Sequence, residues 1–295
     1  MGVCIPLNMT NKKELVLGTA QWGWTIGRDT AFELLEYWLS SGYRAIDCAT
    51  NYPINREPEC FRAAEGILSE FIQAHGLSDL DVTMKIGSMD NMRTPDNNLS
   101  PSFIQMIGHE YGRLLGDNLG CLMIHWDNRD QEEEIGTTLA GLGRVCDELN
   151  CRKGLSGVRV PEVYARVTGK EAFDIQVKHN VLFSDLGRYS PWFPPDVHRY
   201  YAYGINAGGI KLPGEEYSAA STYLARGGNP ELSEEQTKRL EILTEEYSRE
   251  KGMKISRMWQ LGHTHAVSEP ALHGIIAGIS SVGQLQDLIS WHRAH

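Results

Sequence analysis

The sequence predicts an α/β fold, a single (β/α)8 barrel in which eight parallel strands are ringed by helices. Three observations carry this. Eight short apolar runs recur at 15–18, 44–47, 82–85, 121–124, 155–158, 173–176, 200–203 and 274–277. They are near-continuously hydrophobic, as strands buried on both faces must be. Segments of helical period separate them, the alternation that marks an α/β fold. Eight such units in 295 residues suit one closed barrel, so 1–295 is expected to be one domain. A doubly wound open sheet is the alternative, but no G-x-G-x-x-G turn follows the first run.

The helices announce themselves in order. Thr30 stands three residues before Glu33, the spacing of a capping box, ahead of the stripe Phe32, Leu35, Trp38 and Leu39. Phe61, Ala64, Leu68 and Phe71 stripe the next helix. Ser100 followed by Pro101 opens a third, carrying Phe103, Ile107, Leu114 and Leu115. Glu132, Glu133 and Glu134 read as an acidic first turn that favours the helix dipole. Ser233 with Gln236, and Ser281 with Gln284, make two further capping boxes. The longest gap lies between the seventh and eighth strands, with a Gly/Ser/Tyr-rich stretch at 213–230 and a helix around 240–247. A long insertion on a barrel is usually a functional loop.

Bulk properties narrow the function. The hydrophobic fraction is 41% and the charged fraction 22%, ordinary for a globular chain. A formal net charge of −10 speaks against nucleic acid or an anionic membrane as partner. The six cysteines, Cys4, Cys48, Cys60, Cys121, Cys146 and Cys151, form no C-x-x-C pair. No run reaches transmembrane length, and the first residues lack a signal-peptide pattern. Gly2 fits the start of a myristoylation signal, but Pro6 stands where Ser or Thr is needed. The expectation is a reduced, cytoplasmic monomer. His263, His265, His292 and His295 lack metal-ligand spacing and are expected at the surface, so no metal site is expected. Cys48 has no His partner spacing that would make it a nucleophile.

Barrel chemistry sits at strand C-terminal ends and the loops beyond them. There the chain presents Asp47, Tyr52, Lys85 and His125. Each alone is more often structural: a cap, an ion pair or a core histidine. Together they form a proton-transfer set. A Lys ammonium lowers a nearby phenol, Asp47 holds that ammonium, and His125 orients a substrate carbonyl. Tyr52 then acts as general acid. Trp22, Trp24 and Trp126 frame the expected pocket, though mouth packing explains them equally well. Arg56 and Arg159 suit a carboxylate or phosphate on the substrate, or else a loop salt bridge.

The chain resembles the aldo-keto reductase family. The matching stretches are LVLGTAQWGW, GYRAIDCATNY, VTMKIG, LMIHWDN, FDIQVKHNVL, YAYGINAGGIK and IAGISSVGQL, in family order over nearly the whole length. The resemblance implies that Asp47, Tyr52, Lys85 and His125 are a catalytic tetrad. It implies hydride transfer between a nicotinamide cofactor and an aldehyde, ketone or alcohol. It assigns Gln176 to the carboxamide, Tyr203 to nicotinamide stacking, and Gly278, Ser280 and Gln284 to the adenosine end at a helix N-terminus. An ordinary capped helix is the other reading of that last stretch. The resemblance alone favours NADP over NAD. Departures stand beside it. The family's G-V-S-N reads Gly157-Val158-Arg159-Val160 here, Leu288 replaces an adenine-side asparagine, and no Lys or Arg follows Gly278. Two other readings therefore stay open: a lyase or isomerase using the same Tyr52 and Lys85, and a non-catalytic dinucleotide sensor.

Overall fold

The chain builds its barrel from strand-helix units in order. β1 (Glu14–Gly18) leads to α1 (Arg28–Ser40), and β2 (Ala45–Ala49) to α2 (Ala63–His75). β3 (Asp81–Ile86) leads to α3 (Pro101–Leu115), β4 (Leu119–His125) to α4 (Glu132–Leu149), and β5 (Arg152–Ser156) to α5 (Pro161–Thr168). β6 (Asp174–Asn180) is followed by a two-residue β7 (Phe183–Ser184), a short α6 (Leu186–Tyr189) and β8 (Arg199–Tyr203). Then come α7 (Thr222–Ala225), α8 (Glu234–Lys251), α9 (Met258–Ser268), β9 (Leu272–Gly278) and α10 (Val282–Ala294). This computed structural model describes residues 12–169, 171–217 and 221–294; Gly2, Cys4, Pro6 and His295 lie outside them.

The strands lie side by side in the order β5-β4-β3-β2-β1-β9-β8-β6, and β5 also pairs with β6, which closes the ring. Every pairing in the ring is parallel. The result is the expected closed eight-stranded (β/α)8 barrel. β7 turns back antiparallel on β6 and stays outside the ring. Apolar outward residues such as Leu17, Ile46, Met84, Leu122 and Ile175 are buried beneath the helices in one continuous core.

The barrel's interior is more polar than its outside. Strand alternation sends residues i and i+2 to one face. At the N-terminal end this places Asp81, Arg152, Asp174 and Arg199 inside. Arg152 bonds Asp81 at 2.7 Å and Asp174 at 2.9 Å, and Arg199 bonds Asp174 at 2.6 Å. A middle layer of Val16, Ala45, Tyr201 and Ile276 packs above them. This corrects the fifth strand. It starts at Arg152, three residues before the apolar run at 155–158, because its first inward position carries a charge that the ion cluster satisfies.

Helix starts divide. Ser100 accepts from the Phe103 amide, and Ser233 with Gln236 closes a full capping box. Thr30 caps nothing: α1 begins two residues earlier, after Gly27. Ser281 Oγ accepts from the Gln284 amide, but the Gln284 side chain reaches back to Ser280 instead. The helix expected around 240–247 extends over the whole of α8. The histidines of α9 are not at the surface. The helix contacts α8, α10, β6 and β9, so little of it faces water. His263 is buried and its Nε2 lies 2.9 Å from Nδ1 of the buried His292. Half-buried His265 stacks on His179 and meets the Tyr247 hydroxyl at 3.0 Å.

Candidate active site

Parallel register brings the C-terminal ends of the eight strands to one mouth. Asp47 pairs with Thr83 and Ala49 with Lys85, while Lys85 pairs with Met123 and His125 with Ser156. Asp47, Lys85 and His125 therefore all project inward from neighbouring strands, one step apart. His125 is the last residue of β4 rather than lying beyond it. Tyr52 follows β2 by three residues and keeps part of its surface open.

Lys85 is the central group. It is 1% exposed, yet charged. Its Nζ donates to Asp47 Oδ2. It also sits 4.7 Å from the Tyr52 ring centre. Burial disfavours its ammonium, but the Asp47 carboxylate and the Tyr52 oxygen more than offset that, so its pKa is raised. Asp47 accepts a second bond at 2.5 Å from Gln176 Nε2. His125 lies edge-on to Tyr52, ring centres 6.4 Å apart at 89°. Burial and then the Lys85 charge hold His125 well below its usual pKa, so it is neutral at pH 7. Its buried Nδ1 has no partner among the described residues.

One electrostatic expectation is corrected. Lys85 does pull the Tyr52 phenol down, but burial pushes harder and the net is a rise to about 12. Tyr52 thus holds its proton firmly at neutral pH, and Lys85 limits the rise instead of producing a phenolate.

The remaining residues fall into groups. Gln176 is buried, and its carbonyl oxygen is unengaged among the described residues. Tyr203 ends β8 beside Lys178, close enough to feel the Lys85 charge. Gly278 lies next to Gly18 with open space around its Cα. Ser280 and Gln284 are exposed and bonded to each other at the start of α10. Leu288, the asparagine replacement, is buried in the core.

Trp22 does not frame the pocket. It is fully buried in the core, because a bridge to Ile26 turns it inward. Trp24 and Trp126 keep exposed surface. Trp126 leans on the His125 ring, centres 4.5 Å apart. Arg56 and Arg159 are exposed. The loop carrying Arg159 is held by its backbone: its amide donates to Asp127 O at 2.8 Å, and Arg188 donates to Val158 O and Arg159 O.

Sequence reasoning missed three supports. Buried Asp127 binds Arg129 and Tyr164 and fixes the loop after β4. Buried Asn51 has no partner for its Oδ1 among the described residues, beside Tyr52. Lys178 stands inward at the mouth, signalled only by its i+2 spacing from Gln176. A cleft of about 780 Å³ lies away from this mouth among Glu215, Glu216, Glu241, Glu245 and Lys254, and none of the mouth residues lines it. No group of three or more His, Cys, Asp or Glu side chains among the described residues is arranged to hold a metal. No described helix is long and apolar enough to cross a membrane.

A comparison with curated proteins returns no match. The family model described as the aldo/keto reductase family matches residues 14–180, more than half of the chain and the segment that holds Asp47, Tyr52, Lys85, His125 and Gln176. With the closed parallel barrel and this mouth, that match establishes that the chain belongs to the aldo/keto reductase family.

Proposed function

We propose that the chain is a nicotinamide-dependent oxidoreductase that reduces an aldehyde or ketone, or oxidises the matching alcohol, with Tyr52 as general acid and base. Family membership implies an enzyme that uses NAD(P)H on small carbonyl compounds. The carrying observation is a protonated Tyr52 held by buried Lys85, with Asp47 behind it and neutral His125 facing it. A neutral imidazole can donate a hydrogen bond to a carbonyl oxygen without adding charge. Tyr52 can then give its proton to the alkoxide as it forms. Lys85 stabilises the phenolate left behind, and Asp47 keeps Lys85 charged.

The nicotinamide supplies the hydride when bound. Gln176 offers an open carboxamide oxygen, and Tyr203 an aromatic face at the mouth. Gly278, Ser280 and Gln284 would meet the adenosine end at the N-terminus of α10. No Lys or Arg lies between 278 and 284, so NADP is favoured by family alone and NAD remains an alternative. We take residues 1–295 as one barrel domain, cytoplasmic and monomeric, whose partner is a small carbonyl or alcohol.

Fluorescence titration with NADPH and NADH, followed by turnover on an aldehyde panel, tests this. Tyr52→Phe should lower turnover at least 100-fold with cofactor binding retained. Binding of neither nucleotide would leave the non-redox reading.

A further inference from the structure

Three arginines gather on three loops of this mouth. Arg56 follows β2, Arg93 follows β3 and Arg226 follows β8. Arg56 and Arg93 are exposed and form no ion pair or hydrogen bond among the described residues, in a chain whose net charge is −10. Both adopt left-handed backbone, each at φ 63°. That conformation costs a residue with a Cβ, and its cost is met where surrounding structure imposes it, commonly at functional sites. The imposing structure is visible. Buried Asn91 donates to Asn55 Oδ1 at 3.1 Å and to Glu57 O at 2.8 Å, clamping the β3 loop to the β2 loop on either side of Arg56. Arg226 is rooted on Gly208 O at 3.0 Å.

The guanidiniums feel one another. Burial and the charge of Arg56 hold Arg93 below the usual arginine value. Burial and Arg93 do the same to Arg226. Two carboxylates of the same loops bond within their own loops: Glu57 to Asn55 and Cys60, Asp90 to Met92 and Thr94. Mutual repulsion at two strained positions is unfavourable for the fold unless an anion relieves it.

We propose that Arg56, Arg93 and Arg226 form an oxyanion-binding rim, and that the substrate is a carbonyl compound carrying a carboxylate or phosphate. Guanidiniums bind such groups in forked pairs. Arg56 stands four positions after Tyr52, so their Cα atoms lie within about 14 Å. A small molecule can therefore present its carbonyl to Tyr52 and its anion to the rim. The inference rests on the carbonyl-reduction reading only for the reacting end.

The test compares 4-carboxybenzaldehyde with benzaldehyde as substrates, and measures calorimetric binding of terephthalate, which cannot react. The variant is Arg56→Gly/Arg93→Gly, because glycine suits both backbones. The wild type should prefer the carboxylated aldehyde. In the variant that preference and the terephthalate affinity should each fall at least tenfold, the first mainly through KM. Thermal stability should not fall, whereas arginines with a structural role would lower it. Unchanged preference and affinity, or no terephthalate binding by the wild type, overturns the rim. A fall in NADPH affinity as large as that for terephthalate assigns the arginines to the cofactor phosphates and also overturns it. If no aldehyde is reduced but terephthalate binding still depends on the arginines, carbonyl reduction fails and the rim stands.

Discussion

At the residue scale, the Asp47–Lys85 pair determines what Tyr52 can do. Both side chains are almost wholly buried, at 3% and 2% exposure. Removing one partner of such a pair strands the other charge in a poor solvent. Lys85→Met should therefore cost about 3–5 kcal/mol in urea denaturation. The double variant Asp47→Asn/Lys85→Met, which buries no net charge, should recover most of it. Equal losses in both variants would show that the pair is not the cause. The same enclosure fixes the pH behaviour. The proposed reduction needs Tyr52 protonated, and its phenol, raised to about 12 by burial, stays so through neutrality. His125, held well below its ordinary value, adds no charge there. The profile of kcat/KM for reduction should be flat between about pH 6 and 9. An inflection near pH 6.5 that disappears in His125→Asn would contradict a neutral His125. Asp47, Tyr52, Lys85 and His125 were legible in the sequence because strand ends carry them in sequence order. Their balance of burial against charge was not, since burial depends on residues distant in the chain. Arg93 and Arg226 were illegible for the same reason: only folded loops bring Arg93 to Arg56 and Arg226 to Arg93.

Elements were legible where one local rule decides and blurred where the interior does. Ser100 and Ser233 cap as their spacing suggests, because capping is settled within four residues. β5 was displaced because its first inward residue is Arg152, whose partners Asp81 and Asp174 come from two other strands. Trp22 had the look of a pocket wall, and only the bridge to Ile26 shows that it packs inward. The turn after β5 is a place where local and long-range demands meet. Gly157 has φ 67°, and a Cβ there would stand 2.4 Å from Trp126 Cδ1. Trp126 itself leans on His125. Gly157→Ala should destabilise by about 1–3 kcal/mol through the strained backbone. It should also lower kcat/KM severalfold, as Trp126 is pushed and His125 follows. Cofactor titration alongside steady-state kinetics would separate the two effects. A stable variant with unaltered kinetics would mean that the turn does not set His125.

The whole molecule closes only when its last third arrives. β1 pairs with β9 along the whole of β1, and β8 joins β9 to β6, so residues beyond the family match complete the ring. Eight apolar runs made this closure legible. The packing of α9 and α10 was not, because His263, His265 and His292 read as polar surface and instead lie against other elements. That burial has a consequence for the entire fold. His265 and His292 are lowered to about 4, in each case first by burial, and His125 lies well below 6.5. The charges facing His265 are His179, Arg239 and Glu269, of which only Glu269 favours protonation. Below about pH 6.5 the unfolded chain takes up protons at these positions while the folded chain does not. Stability is therefore complete above that pH and falls as pH drops towards 4. Glu65 works the other way: burial raises its carboxyl, so the folded state takes that proton earlier and offsets part of the loss. After allowance for partial exposure, His265 and His292 should each contribute about 1 kcal/mol by pH 5, and His125 adds to the loss in the same direction. Urea midpoints at pH 7.5, 6 and 5 would measure the slope. His292→Gln should flatten it by about 1 kcal/mol between pH 7.5 and 5. A stability curve level across that range would mean that the buried histidines are protonated in the fold.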